Sequence, residues 1–261
     1  MIEAVLSRDR LLLAAGLIAV FAMAWAWLLS GAGMEAGPIE MTEMAGMDGW
    51  LMQPAVWTPA YALLIFSMWW VMMLAMMLPS AMPMLLLFAR ISSGRKTLAA
   101  LEARTMSFAT GYLLAWGGFS AFATSLQWGL ESSGLLSPML SVTNQWLGAG
   151  ILLAAGFWQL TPLKARCLRH CRTPLSFLIG SWRAGRLGAL RMGLRHGAFC
   201  LGCCWFLMGL LFFGGVMNLY WIVGLAVYVL LEKTIPLGHW LARAAGIALI
   251  ISGLVLALQF N

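Results

Sequence analysis

The stretch Met68-Trp-Trp-Val-Met72-Met73-Leu-Ala-Met76-Met77-Leu-Pro79-Ser-Ala-Met82-Pro83-Met84 decides the fold. It carries no charged residue and continues an apolar run on both sides, so it reads as part of a membrane-spanning helix. It also packs seven methionines into seventeen residues. On an α-helix Met68, Met72 and Met76 stack at i, i+4 and i+8, and Met73, Met77 and Met84 fall on the adjoining flank. Only Met82 lies outside that half of the cylinder. A stripe of thioethers is a ladder of soft ligands, and soft sulfur selects Cu(I). Methionine is equally a common filler of irregular gaps in a core. The stripe alone does not separate the two readings.

Outward from this stretch the whole chain is apolar. Its 261 residues are 62% hydrophobic and 10% charged, where a soluble domain holds roughly 25% charge, and the mean hydropathy is +0.88. This composition predicts an all-α polytopic transmembrane helix bundle forming a single domain, 1–261. Runs of about twenty apolar residues mark spans at 11–29, 60–88, 106–130, 145–162, 197–215, 217–232 and 241–259. The second is long, and Pro79 and Pro83 predict a kink or break at its cytoplasmic end. The sixth is short, and Met217-Asn218 is the only polar break before it, which predicts a tight hairpin. The count is seven crossings, or six if 217–232 is re-entrant. The first run follows Arg8 and Arg10 as a signal sequence would, but it lacks a small-residue cleavage site and reads as a retained helix.

Charge sets the orientation. The net charge of +7 invites a nucleic-acid reading, which the distribution of the basic residues refutes. All sixteen Lys and Arg fall in four groups: Arg8 and Arg10; Arg90, Arg95, Lys96 and Arg104; Lys164 through Arg195; and Lys233 with Arg243. Under seven crossings these groups share one side, and the positive-inside rule makes that side cytoplasmic. The opposite loops, 30–59 and 131–144, hold no Lys or Arg and carry Glu35, Glu40, Glu43, Asp48 and Glu131. The protein is therefore expected in the bacterial inner membrane with its N-terminus cytoplasmic. Its natural partner is the lipid bilayer, anionic headgroups included. The large cytoplasmic loop, about 163–196, has room for one short basic helix at the membrane surface.

Two sulfur clusters share one spacing. Cys167, His170 and Cys171 stand at i, i+3, i+4, as do Cys200, Cys203 and Cys204, so on a helix each trio spans an arc of roughly 100°. Both belong to the cytoplasmic half, where thiols stay reduced, and thiolates bind Cu(I) or Zn(II). Free cysteine also packs as a small hydrophobe. On the opposite side Met41, Met44 and Met47 are spaced three apart beside Asp48. Thioether and carboxylate together suit outer collection of copper, and a solvated acidic loop is the plainer reading. An outer Met/acid loop, a mid-membrane ladder with Met72, Met73, Met76 and Met77, and inner Cys/His trios describe a route for a soft cation. They equally describe one static site with decoration.

Glu232 is the only acid deep in the second half of the chain. Ionisable groups inside a membrane default to function, yet Lys233 follows at once, and a boundary position that lets both snorkel is simpler. His196 and His239, at helix ends, are expected at the interface. Gly117-Gly118-Phe-Ser120 lacks the Gly-x-Ser-Gly turn of an intramembrane serine protease, and every histidine lies towards the cytoplasmic face. No catalytic set is found.

The motifs quoted next carry a resemblance. They are Met-x-x-Met-Met-x-Pro over Met73–Pro79 and Gln159-Leu-Thr161-Pro162-Leu-Lys164-x-x-Cys167-Leu-x-x-Cys171. They continue with His196-Gly-x-x-Cys200-x-Gly202-Cys203-Cys204-Trp205-x-Leu-Met208, Gly215-Val-Met217-Asn218 and Glu232-Lys233-x-x-Pro236. Over about residues 60–255 the chain resembles the bacterial domain-of-unknown-function family described as predicted metal-binding integral membrane proteins. The resemblance implies a metal and marks Cys167, Cys171, Cys200, Cys203, Cys204, Met217, Asn218 and Glu232 as family-pattern residues. The Met41–Asp48 loop has no counterpart in that pattern.

Together these readings predict a membrane protein that binds a soft transition metal, Cu(I) ahead of Zn(II). Its role would be acquisition, transfer or delivery to a metal-handling protein or membrane cuproenzyme. One rival is a thiol-redox protein using Cys203-Cys204 or Cys167 and Cys171, although quinone-linked dithiol systems need an outward-facing pair. The other is an accessory subunit of a larger membrane complex, whose Trp- and Met-rich faces and glycine-rich 111–118 segment would pack against partner helices.

Overall fold

The computed structural model describes residues 2–33, 37–43, 56–92, 98–137 and 140–259. Its helices are α1 (Ile2–Leu29), α2 (Pro38–Glu43), α3 (Pro59–Ser92), α4 (Leu98–Ser132), α5 (Gln145–Leu160) and α6 (Pro162–Arg172). They continue with α7 (Pro174–Ser181), α8 (Gly185–Gly209), α9 (Leu211–Gly214), α10 (Leu219–Thr234) and α11 (Gly238–Leu258). The fold is all-α, and among the described residues the only β pairing is an isolated bridge between Leu136 and Val142. Each of the seven expected spans falls on a helix. Among the described residues three helical segments are long and apolar enough to cross a membrane: Pro59–Ser92, Gly185–Gly214 and Gly238–Leu258. A fourth is added if α5 and α6, bent by 65° at their junction, count as one.

Several boundaries differ from expectation for local reasons. Pro79 and Pro83 both lie inside α3 and neither ends it. The expected span 145–162 stops at Leu160 because Thr161 turns extended and caps the next helix, its side chain accepting from Lys164 N with Pro162 in the first turn. The expected cytoplasmic loop is mostly helical. It holds α6, then α7 with Pro174 again in the first turn, and the first half of α8. The hairpin before α10 is present: Gly215 takes φ +94°, open to glycine, and Asn218 caps α10 by accepting from Tyr220 N.

Small residues bring the helices close. A side chain at Gly111 of α4 would be driven into the Leu190 carbonyl of α8, and one at Gly193 of α8 into the Phe108 carbonyl of α4. Gly156 and Gly246 do the same for α5 and α11, as small-residue packing between apolar helices requires. Around the α4–α8 contact the core gathers α3. Met68, Trp69, Met72, Met73, Met76 and Met77 are all buried in one cluster with Tyr112, Cys200, Cys203, Cys204, Met208, Met217 and Val229. The methionine stripe thus faces protein, between α8 and α10.

Candidate metal centre

The ladder is bounded at both ends by polar groups. At the first end Trp69 Nε1 donates to Gln127 Oε1 at 2.7 Å, and Gln127 Nε2 donates to Glu131 Oε1 at 2.8 Å. Trp57 Nε1 donates to the other carboxylate oxygen, Glu131 Oε2, at 2.7 Å. Nine residues along α3 from Met68, about 14 Å at roughly 1.5 Å per residue, Met77 meets the thiols of α8.

At that second end the sulfur atoms come together. Cys204 Sγ lies 3.9 Å from Met77 Sδ. Cys203 and Cys204 each turn back on their own helix, donating to the Cys200 carbonyl at 3.0 Å. The Cys200 thiol instead faces across the bundle, 3.4 Å from the Tyr112 hydroxyl and 3.1 Å from Lys233 Nζ. The cysteines of α6 approach from below. Cys171 faces the thiols of Cys200 and Cys203 where α6 packs on α8. Cys167 packs on Gly202, where any Cβ would come within 2.8 Å of its sulfur. Trp158 of α5 fixes the same point, its Nε1 donating to the Gly202 carbonyl at 3.2 Å. All five cysteines are free thiols; the three on α8 are buried and the two on α6 half-buried.

The bend at Thr161-Pro162 brings α6 under α8, and a buried ion pair holds it there. Lys164 of α6 bonds Glu232 of α10, both fully enclosed. Gln159 Nε2 donates to the Tyr228 hydroxyl at 2.9 Å, and that hydroxyl donates to Glu232 Oε1 at 3.5 Å. The snorkelling expected of Glu232 and Lys233 is therefore wrong. Successive helix residues point about 100° apart, so Glu232 turns to α6 while Lys233 turns into the gap between α3 and α8. Its Nζ also donates to Ser80 Oγ at 3.1 Å and stands 3.9 Å from Met77 Sδ.

Other expected residues are placed elsewhere. His170 stacks on Phe199 with centroids 4.0 Å apart, and its Nδ1 pairs with the Arg166 carbonyl at 2.8 Å. His196 is buried between the rings of Phe108, Tyr112 and Phe177 rather than at an interface, whereas His239 is exposed. Met72, Met73 and Met76 line the core. Met217 is buried in the same cluster, and Asn218 serves as a helix cap. Met44, Met47 and Asp48 lie outside the described residues, as does the side chain of Met41 in α2.

What this arrangement can do follows from its donors. Among the described residues no three His, Cys, Asp or Glu side chains converge as a ready metal set, so a closed four-ligand site of structural-zinc type is not assembled. What is assembled is a thiol opposite a thioether. With metal–sulfur bonds of about 2.3 Å, two ligands of a trigonal metal stand about 4 Å apart, close to the 3.9 Å between Cys204 and Met77. Sequence reading found these sulfurs but missed Tyr112, Ser80, Lys164 and Lys233. A rule that treats every intramembrane charge as functional would have found the two lysines; nothing local marks the hydroxyls.

Fold and site together define an apolar helical bundle with thiols and thioethers buried against one another. Comparison with known families specifies the class: the chain belongs to the PpoB2 family, copper chaperones, whose pattern matches residues 66–256. Copper handling is thus its family role, a sharper statement than the unspecified metal of the resemblance. The match takes in α3 from Phe66 through most of α11 and leaves out the Met41–Asp48 segment. No curated protein and no solved structure matches the chain.

Proposed function

We propose that the protein is an integral inner-membrane copper carrier that holds Cu(I) between Met77 and the thiols of Cys200, Cys203 and Cys204. The ion exchanges along the α3 methionines on one side and with Cys171 and Cys167 on the other. The observation that carries this reading is the 3.9 Å approach of Cys204 Sγ to Met77 Sδ inside a family of copper chaperones. Cu(I) accepts two or three soft ligands, so it can pass by replacing one sulfur at a time. Cys171 beside Cys200 and Cys203 offers the next sulfur, and the half-buried α6 thiols offer a way out to a recipient. A membrane setting is supported by α11, which leaves Ile247, Ile251, Leu254 and Leu258 exposed along one face, as lipid-facing helices do. The recipient is a metal-handling protein or a membrane cuproenzyme.

The test is metal content. Detergent-purified protein loaded anaerobically with Cu(I) is expected to retain it through gel filtration. A Cys200→Ser/Cys203→Ser/Cys204→Ser variant is expected to elute at the same volume without it. Wild-type protein that retains no copper would overturn the proposal.

A further inference from the structure

Lys233 is a buried cation that the copper reading does not use, and it sits among the copper ligands. Its Nζ lies 3.1 Å from Cys200 Sγ, 3.1 Å from Ser80 Oγ and 3.9 Å from Met77 Sδ, and the residue is 7% exposed. A buried ammonium needs a counter-charge. The nearest carboxylate in sequence, Glu232, is committed to Lys164. Around Nζ stand the Ser80 hydroxyl, the Met77 thioether and the Cys200 thiol, and no carboxylate is among these contacts. Lysine and sulfur cluster therefore form one electrostatic unit, closed off from solvent.

We propose that Lys233 is a specificity-determining residue: its fixed positive charge sets the sulfur site for a monovalent cation, so that the site takes Cu(I) and disfavours Zn(II). The inference rests on the copper reading above. Two thiolates beside Lys233 carry one net negative charge, which Cu(I) neutralises and Zn(II) overshoots. If one thiolate and the Met77 thioether ligate instead, the divalent ion still ends one unit more positive than the monovalent one. That extra unit faces the ammonium at about 5 Å, and at an effective dielectric of about 20 this separation corresponds to roughly a few hundredfold in affinity. Softness alone already favours Cu(I) at sulfur; Lys233 adds a filter on charge, which softness does not supply.

The experiment uses the full-length protein in detergent under anaerobic, reducing conditions. Cu(I) affinity is read by competition with a chromophoric Cu(I) chelator, and Zn(II) affinity by competition with a fluorescent zinc chelator. Wild type is expected to prefer Cu(I). Lys233→Met is expected to narrow that preference by roughly a few hundredfold, and Lys233→Arg to keep it. Ser80→Asp leaves the lysine in place and cancels its charge. It is expected to narrow the preference in the same direction, and it keeps the test decisive if Lys233→Met does not fold. A preference unchanged in both charge-cancelling variants, or both metals weakened in parallel, would overturn the inference, because a purely structural lysine moves both affinities together. So would a wild type that binds the two ions equally. A wild type that binds no Cu(I) instead defeats the copper reading itself, so the two failures are told apart.

Discussion

Met77 differs from its neighbours on α3 by what it touches. Met72, Met73 and Met76 are as deeply buried, but Met77 lies against both a thiol and an ammonium, 3.9 Å from each. Replacing it by leucine keeps nearly the same volume and costs less than about 1.5 kcal/mol of stability, while removing the sulfur. Met77→Leu is therefore expected to insert and fold normally but to lose Cu(I) affinity by about tenfold or more, the scale that even outer-shell partners of a metal command. Chelator competition checks this. The suitable control is Met106→Leu with Met192→Leu, since Met106 is exposed and Met192 belongs to a separate buried cluster. Met208 is no control, because it shares the core with the ladder. Equal copper binding by Met77→Leu and the control would reduce the ladder to packing. The helical spacing of the methionines was legible in the sequence; which of them meets a thiol was not, because that depends on how α3 lies against α8.

Between helices, the Lys164–Glu232 pair fixes where α6 sits relative to α10, and so where Cys167 and Cys171 reach α8. Removing one partner of a buried ion pair leaves an uncompensated charge and costs about 3–5 kcal/mol, while replacing both by apolar groups costs far less. Lys164→Met and Glu232→Met alone are thus expected to destabilise by about that amount, and the double variant by clearly less than either. Thermal unfolding in detergent measures the cycle, and simply additive losses would show the two residues to be uncoupled. This pairing also shows where sequence reading stopped. Runs of about twenty apolar residues placed each expected span on a helix, because burial in lipid or in protein needs the same apolar surface. The two short helices were hidden for different reasons, α6 by its basic residues and α7, which has none, by its length of 8 residues, although each opens with the dipeptide Thr-Pro, at Thr161-Pro162 and Thr173-Pro174, a recognisable helix start. Glu232 and Lys233 were misread for a different reason. Adjacent charges suggest a shared interface, and their divergence on the helix matters only once a partner exists on each side.

For the molecule as a whole, orientation decides what the copper route means. The described basic residues of α6 and α8 lie towards the end of the bundle that holds the α6 cysteines, and Glu131 marks the opposite end of α4. Lys and Arg are retained in the cytoplasm during insertion far more strongly than acids are excluded from it, so the segment 163–196, with eight basic residues, should dominate the choice. A periplasm-active phosphatase fused after Ser133 is expected to be active, and the same enzyme fused after Trp182 inactive, with a cytoplasm-active fluorescent reporter giving the reverse pattern. That outcome places Cys167 and Cys171 where thiols stay reduced and where a cytoplasmic recipient can meet them. The opposite pattern would put the same thiols in an oxidising compartment. Cys171 and its neighbours on α8 would then be exposed to disulfide formation, and the thiol-redox alternative would become the better account of the same geometry.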